Sequence, residues 1–173
     1  MGAPEDLVIG IETPSLETTN ELMRQCDLVL ATGGGAMVHA AYSSGSPALG
    51  VGVGNAVITV DDTADLDAAA EKIRLSKTLD LAASCSSDNS VVLLDGIYEP
   101  MLEKLKAQGG YLCNGDEKAA LRNTLWDEEL HLNTAIVAQP PEKIAQMAGL
   151  SIPEETKFFI VPEDGWGPEH PFS

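Results

Sequence analysis

Strand-like and helix-like segments alternate along this chain of 173 residues. The clearest stretch covers residues 28–44, where an apolar strand pattern, three glycines and a helical pattern follow one another. Such alternation is typical of parallel strands joined by right-handed crossover helices, because two parallel strands cannot be connected by a short hairpin. We therefore expect an α/β fold with parallel strands.

The apolar runs and helical periodicities place the individual elements. A helix that begins at Pro14 is expected to have Thr13 as its N-cap, since proline is favoured at the first helical position. A mild boundary near residues 61–66 separates a glycine-rich first part from a second part in which the pattern begins again. Strands are predicted at residues 7–11, 28–31, 48–53, 56–61, 90–94, 111–113, 135–138 and 158–161, and helices at about 14–25, 36–44, 65–79, 98–108, 116–126 and 140–149.

The charge and cysteine content exclude several classes of partner. Acidic residues outnumber basic ones by 27 to 10, which argues against binding to nucleic acid or to an anionic membrane surface. No apolar run has the length of a membrane span, and no signal peptide is recognisable. Cys26, Cys85 and Cys113 show no disulfide or metal-binding spacing. We expect free thiols, a cytoplasmic location and no metal.

If the chain has one chemical centre, we expect it at Cys85. This cysteine lies in a polar helix-to-strand connection, the kind of loop on which reactive groups are often mounted. A cysteine nucleophile needs partial exposure and local positive potential, and Lys77 is near in sequence whereas no histidine is. The alternative is that Cys85 packs as a small buried hydrophobic side chain.

The glycine-rich turn Thr32-Gly33-Gly34-Gly35 is a second candidate site. Backbone N–H groups at the start of a helix favour a phosphate, and glycines let it approach closely. The turn is neither a P-loop nor a GxGxxG fingerprint, and the later GVGVG run at residues 50–54 is not one either. The alternative is a tight turn whose glycines adopt positive φ.

Structural roles are expected for the remaining candidates. Cys26 and Cys113 stand at element ends, and the acidic pairs Asp61-Asp62 and Glu154-Glu155 lie among turn residues where solvated charge is the common role. One helix carries an apolar stripe at helical spacing, which predicts core packing. The stripe consists of Tyr98, Met101, Leu102 and Leu105.

A series of motifs, in this order, resembles the CoA-acylating aldehyde dehydrogenases. The series begins with ATGGGAMVHAAYSSGSPALGVGVGN, the DDTADLD run and the SK-T-x-D…C-x-S loop around Cys85. It continues with GGYL, LNTAIVAQ, KIAQMAGLSIP and the terminal HPFS. The resemblance implies part of the aldehyde dehydrogenase fold, a three-layer α/β/α arrangement with mostly parallel strands.

The resemblance implies that Cys85 is the nucleophile. Its thiolate would attack a small aldehyde, hydride would pass from the thiohemiacetal to NAD or NADP, and CoA would release the resulting thioester. Thr32, Gly33 and Gly34 match the turn beside the cofactor, and Gly52 lies in a segment that would pass near the nicotinamide. Val51 stands where hydrolytic members of the superfamily carry a glutamate base, which fits release by a thiol.

Family members are much longer than this chain, so the resemblance implies a middle fragment. Residues 1–64 would be the C-terminal half of the dinucleotide-binding domain, and residues 65–173 the N-terminal part of the catalytic domain. We expect the isolated chain to be inactive and the full-length parent to be a homo-oligomer.

The resemblance leaves the substrate open. The Ser-Cys-Ser-Ser-Asp-Asn loop is similar to that of members assigned to sulfoacetaldehyde, whereas other relatives act on acetaldehyde-like substrates. The alternative function is a non-catalytic nucleotide-binding or interaction module in which Cys85 is structural.

Overall fold

The computed structural model describes residues 2–173, and the strands named in this range pair in parallel, as the alternation of the sequence predicts. The chain divides into two compact units, the first ending at Val53 and the second running from Gly54 to Ser173. Within residues 2–173, no helix is both long enough and apolar enough to cross a membrane.

The first unit contains two helices and one parallel strand pair. Strand β1 pairs with β2 in a register that runs from Val29 opposite Ala48 to Thr32 opposite Val51. Its small core consists of Met23, Val29, Ala31 and Ala41. The elements are α1 (Leu16–Gln25), β1 (Val29–Thr32), α2 (Gly35–Tyr42) and β2 (Ala48–Val51).

The second unit contains two further parallel pairs, β3 with β4 and β5 with β6. Its elements are β3 (Ala56–Val60), α3 (Leu66–Thr78), β4 (Asp88–Leu93), α4 (Tyr98–Ala107), β5 (Gly110–Leu112), α5 (Gly115–Leu125), α6 (Pro141–Ala148) and β6 (Phe158–Ile160). Most of them lie within a few residues of the predicted positions.

The core of the second unit forms where α3 and α4 cover both strand pairs. Met101 of α4 is fully buried, and Leu102 and Leu105 of the same stripe are 5% and 4% exposed, which confirms the predicted core stripe. Tyr98 lies at its rim, 37% exposed. The cluster also includes Val60, Ile73 and Phe158, so residues far apart in sequence share one apolar interior.

Helix boundaries in this unit follow local capping chemistry. Asp65 precedes α3, and its carboxylate accepts a hydrogen bond from the Ala68 amide at 3.1 Å. Asn114 and Glu117 form a capping box at the start of α5, which satisfies amides that the helix cannot pair itself. Gly149 ends α6 with a left-handed φ of 69°, as expected for glycine after a helix.

The prediction of a strand at residues 7–11 is wrong. This segment has no strand partner within residues 2–173, and its apolar side chains are exposed, with Val8 87% and Ile9 80% accessible. An apolar run becomes a strand only where a neighbour accepts its backbone hydrogen bonds. The cap prediction is also wrong, because Ser15 rather than Thr13 precedes α1 and accepts the Thr18 amide at 3.0 Å.

The prediction of a strand at residues 135–138 is wrong as well. Residues Thr134–Ile136 form a single 3₁₀ turn that begins at Asn133, whose side chain accepts the Ala135 amide at 3.0 Å. Val137 is 46% exposed. The asparagine side chain pairs with the following backbone and offers it an alternative to a strand ladder.

Residues 162–173 form neither helix nor strand, yet specific contacts hold them. The Glu163 carboxylate lies 2.8 Å from His170 Nδ1 and 3.1 Å from Lys118 Nζ. Burial acts to raise the pKa of Glu163, but the hydrogen bonds and charges of His170 and Lys118 outweigh it and lower the pKa. Phe172 packs edge-on against Trp126, with ring centroids 4.9 Å apart.

Candidate functional site

Cys85 lies on the loop that leads from the end of α3 to the start of β4, and its side chain is exposed. The polar residues around it place this segment at the surface, because a buried loop would leave backbone groups unpaired. An exposed thiol contributes no core packing. The observed position therefore disfavours the interpretation of Cys85 as a small buried hydrophobic residue.

The backbone ahead of Cys85 is unusual. Asp80, Leu81 and Ala82 adopt left-handed φ angles of 50°, 52° and 59°. Such conformations cost about 1–3 kcal/mol each in residues other than glycine and are concentrated at functional sites. A hydrogen bond from the Ser87 amide to the Ser84 carbonyl, 3.0 Å long, then closes a turn that contains Cys85.

Two side chains of α3 anchor the other end of this loop. Ser76 Oγ accepts a hydrogen bond from the Asp88 amide at 3.1 Å, and Lys77 Nζ donates one to Asn89 Oδ1 at 2.7 Å. Burial lowers the pKa of Lys77, and the nearby Asp88 charge acts in the opposite direction. Lys77 thus holds the first residues of β4 against the last turn of α3.

The three serines around Cys85 have different environments. The Ser84 and Ser86 hydroxyls lie 2.9 Å apart and hydrogen-bond with each other at the surface. Ser87 is only 2% exposed, and its hydroxyl has no hydrogen-bond partner among residues 2–173. The sequence Ser84-Cys85-Ser86-Ser87 contained no signal for this difference between the three serines.

The segment after β2 runs beside the Cys85 loop within the second unit. A Cβ atom built at Gly54 would lie 3.7 Å from the Cys85 carbonyl oxygen, which is ordinary van der Waals contact. Asn55 Nδ2 lies 3.3 Å from Ser90 Oγ on β4. The Gly54-Asn55 pair therefore forms one wall of the loop that carries Cys85.

The candidate cofactor residues lie together in the first unit. Thr32 pairs with Val51 at the carboxyl ends of β1 and β2, and the Gly33 amide donates to the Val51 carbonyl at 3.0 Å. Gly52 follows Val51 directly and comes to the same sheet edge as Gly33. Open α/β sheets bind their ligands at the carboxyl ends of the strands.

The interpretation of the glycine-rich turn as one that needs positive φ is wrong. Gly33, Gly34 and Gly35 are absent from the glycines with positive φ in the described residues. A Cβ at Gly33 would come within 3.0 Å of Met37 Sδ, whereas one at Gly34 would meet nothing within 4 Å. Gly34 also caps α2 without a side-chain hydrogen bond, so the start of this helix is open to a ligand.

The other two cysteines fit the structural roles predicted for them. Cys26 is half-buried after α1, and Cys113 is buried after β5. Burial, with a smaller contribution from the Glu117 charge, raises the pKa of the Cys113 thiol to about 11. A thiol that stays protonated at neutral pH is a poor nucleophile.

The buried thiol of Cys113 predicts a loss of stability at alkaline pH. Its pKa is about 11 in the folded chain and 9.0 in the reference state, so the folded state holds the proton more tightly. The contribution of this thiol to the free energy of unfolding is complete below pH 9.0 and is lost as the pH rises to about 11. Over that range the free energy of unfolding should fall by up to about 1.4 kcal/mol per pH unit. Urea unfolding across this range should show a steeper decline in the wild type than in Cys113→Ala; equal slopes would contradict the assignment.

Two further features were not predicted from the sequence. A cavity of ≈200 Å³ in the second unit is lined by residues of β4 and β6 together with Lys77.

Within residues 2–173, three potential metal ligands lie close together, namely Asp127, Glu129 and His131, but all three are exposed. The Asp127 carboxylate already accepts hydrogen bonds from the Glu129 and His131 amides, at 3.0 and 2.8 Å. These bonds form a local turn, and the turn explains why the three side chains lie close together.

Comparison with known proteins identifies relatives along nearly the whole chain, although no protein-family model matches it. The bifunctional aldehyde-alcohol dehydrogenase of Escherichia coli is 47% identical over 161 residues, which are 92% of this chain and 18% of that enzyme. The acylating sulfoacetaldehyde dehydrogenase of Bilophila wadsworthia is 44% identical over 165 residues, 93% of this chain and 36% of that enzyme.

A solved structure shows the same arrangement of elements. The acetylating aldehyde dehydrogenase of Geobacillus thermoglucosidasius superposes with a TM-score of 0.93 at 39% identity, covering 99% of this chain and 38% of that one. The predicted resemblance to CoA-acylating aldehyde dehydrogenases and the predicted α/β fold are therefore confirmed. The chain spans less than two fifths of the length of these three relatives.

Proposed function

We propose that these residues form part of an enzyme that oxidises a small aldehyde to an acyl-CoA, with Cys85 as the nucleophile. The observation that carries the proposal is the exposed Cys85 thiol on a strained, anchored loop, in a chain similar throughout to acylating aldehyde dehydrogenases. A cysteine that acts on a substrate must be accessible, and its loop must be held in place. An interaction module with a structural Cys85 accounts for neither feature.

The proposed reaction has three steps, all on the group bound to the Cys85 sulfur. The Cys85 thiolate would add to the aldehyde carbon to form a thiohemiacetal, and loss of hydride from that carbon to the oxidant would give a thioester. The thiol of CoA then attacks the thioester carbonyl, forms the acyl-CoA and restores the Cys85 thiolate. NAD or NADP supplies the oxidising power when bound, and CoA is the acyl acceptor.

For the cofactor we propose the sheet edge formed by Thr32, Gly33, Gly34 and Gly52. The shared carboxyl end of β1 and β2 and the uncapped start of α2 support this assignment. No metal has a role in the mechanism. We place the junction between the cofactor and catalytic halves of the parent enzyme between residues 64 and 65.

Val51 supports release of the acyl group by a thiol rather than by water. It is the last residue of β2 and is 48% exposed, so a carboxylate there would have had access to solvent. Valine cannot take a proton from water. The lack of the glutamate base that the family resemblance places at this position in hydrolytic members fits attack by CoA on the thioester.

The proposed substrate is a small aldehyde, either acetaldehyde-like or sulfoacetaldehyde. Relatives with both kinds of name are similar to this chain at nearly the same level, 47% and 44%. Lys77 is the cation closest in sequence before the Cys85 loop, and it is already bonded to Asn89. The described residues therefore favour neither substrate.

The reactivity of Cys85 tests the proposal directly. Iodoacetamide is added to the folded chain at neutral pH, and peptide mass spectrometry follows each cysteine with time. We expect Cys85 to react at least about tenfold faster than Cys113, whose thiol is buried and protonated. We also expect it to react faster than Cys26, and faster in the folded chain than in denaturant.

The comparison with denaturant separates activation from mere exposure. An exposed but unactivated thiol would be alkylated faster than Cys26 and Cys113 in the folded chain. Its alkylation rate would, however, be no higher in the folded chain than in the unfolded one. Equal folded and unfolded rates for Cys85 would therefore count against its role as the nucleophile.

A further inference from the structure

The loop that carries Cys85 begins and ends at the same turn of helix α3. It leaves the helix after Thr78 and runs through residues 79–87 to the start of β4. There Ser76 Oγ accepts a hydrogen bond from the Asp88 amide at 3.1 Å, although the two residues are 12 positions apart in the sequence. Compact surface loops whose ends are held together in this way are frequently functional.

Lys77 makes the second bond across this closure. Its Nζ donates a hydrogen bond to Asn89 Oδ1 at 2.7 Å, and bonds from a charged donor are shorter and stronger than those between neutral groups. The lysine is half-buried, and burial lowers the pKa of its ammonium group. An apolar side chain of similar length would avoid the cost of burying a charge, so the lysine calls for an explanation beyond packing.

The backbone inside the loop shows what the closure has to hold. Residues 80–82 keep left-handed φ angles between 50° and 59°. Residues other than glycine retain such angles only where the surrounding structure leaves the chain no alternative. If the end of the loop were released from α3, the backbone would relax toward ordinary φ angles, and the turn that contains Cys85 would move with it.

We propose that Lys77 is a positioning residue, which acts through Asn89 and fixes the place of the Cys85 thiol. The inference rests on the proposed function, because the place of the thiol matters only if it attacks a substrate. A displacement of about 1 Å in a reacting group can lower a rate about a hundredfold. In this role Lys77 neither touches the substrate nor transfers a proton. Its effect depends on the hydrogen bond to Asn89 and not on its positive charge as such.

The test uses Lys77→Met, Asn89→Ala and the double variant, with the rate of Cys85 alkylation by iodoacetamide in the folded chain as the readout. Lys77→Met removes both the donor and the charge, whereas Asn89→Ala removes the acceptor and leaves the charge. Each should lower the rate at neutral pH by about two- to tenfold, which corresponds to the loss of one hydrogen bond. The double variant should react no more slowly than the slower single variant, because both residues act through the same bond.

Lys72→Met is the matched control, because it removes the same charge from an exposed position of the same helix. Lys72 has no hydrogen bond or ion pair with another side chain among residues 2–173, and its replacement should leave the Cys85 rate within about twofold of the wild type. The thermal midpoint of each single variant should stay within about 2 °C of the wild type, as expected for changes near the surface.

Four results would overturn the inference. They are an unchanged Cys85 rate in Lys77→Met, a loss of rate in Lys77→Met that Asn89→Ala does not share, an equal loss in Lys72→Met, and a fall in thermal midpoint that accompanies the loss of rate. The second would mean that the Lys77 charge acts on the thiol directly, and the fourth that Lys77 has only a structural role. If wild-type Cys85 reacts no faster in the folded chain than in denaturant, the proposed function itself fails, and this result is distinct from the other four.

Discussion

Cys85→Ser, introduced into an acylating aldehyde dehydrogenase chain that contains these 173 residues, should reduce aldehyde- and CoA-dependent NAD(P)H formation by at least about a thousandfold. The reason is that a serine hydroxyl stays protonated near neutral pH, whereas the reactive species of cysteine is the thiolate. The rate is followed by the absorbance of the reduced nicotinamide at saturating aldehyde and CoA.

The control for this prediction is Cys26→Ser, which replaces a half-buried cysteine of the first unit by the same residue. Its rate should remain within a few-fold of the wild type. Retention of more than a tenth of the activity in Cys85→Ser would show that the sulfur does not carry the acyl group. In that case the enzyme would need a different nucleophile.

Met101→Ala should lower the free energy of unfolding of the chain by about 2–5 kcal/mol. Met101 is fully buried at the centre of the cluster that joins both strand pairs of the second unit. Truncation removes apolar contacts and leaves a cavity that the surrounding side chains fill only in part. Since domains are stable by about 5–15 kcal/mol, the loss is a large share of the total.

Urea denaturation followed by circular dichroism measures this effect, with Met147→Ala as the matched control. Met147 lies on α6 and is 36% exposed, so the same substitution there should cost well under 1 kcal/mol. A similar loss for the two variants would mean that the Met101 site is less central than its burial indicates. Met101→Leu, which conserves most of the volume, should recover most of the stability.

The sequence predicted those parts of the fold that depend on local regularity. Residues 65–79 and 98–108 have helical periodicity strong enough to place α3 and α4 within one or two residues. The parallel pairing followed from the alternation of strands and helices, because consecutive parallel strands must be joined by a crossover segment, which is commonly a helix. The buried stripe on α4 followed from spacing alone.

The two strand predictions that failed show where local patterns stop being informative. The run LVIGI at residues 7–11 has the composition of a buried strand, as does AIVA at residues 135–138. Neither finds a partner strand in the described chain. Strand formation depends on a neighbour supplied from elsewhere in the fold, and a single run of residues carries no information about that neighbour.

Some features of the candidate site also followed from the sequence, whereas others required the structure. The sequence by itself determined the position of Cys85 on a polar connection and, through its resemblance to a family, the chemistry expected there. Only the tertiary structure decided that Ser84 and Ser86 pair at the surface, while Ser87 is buried and its hydroxyl has no partner among residues 2–173. The reason is physical, because adjacent serines have the same intrinsic preferences, and their burial is set by α3 and β4 packing around the loop.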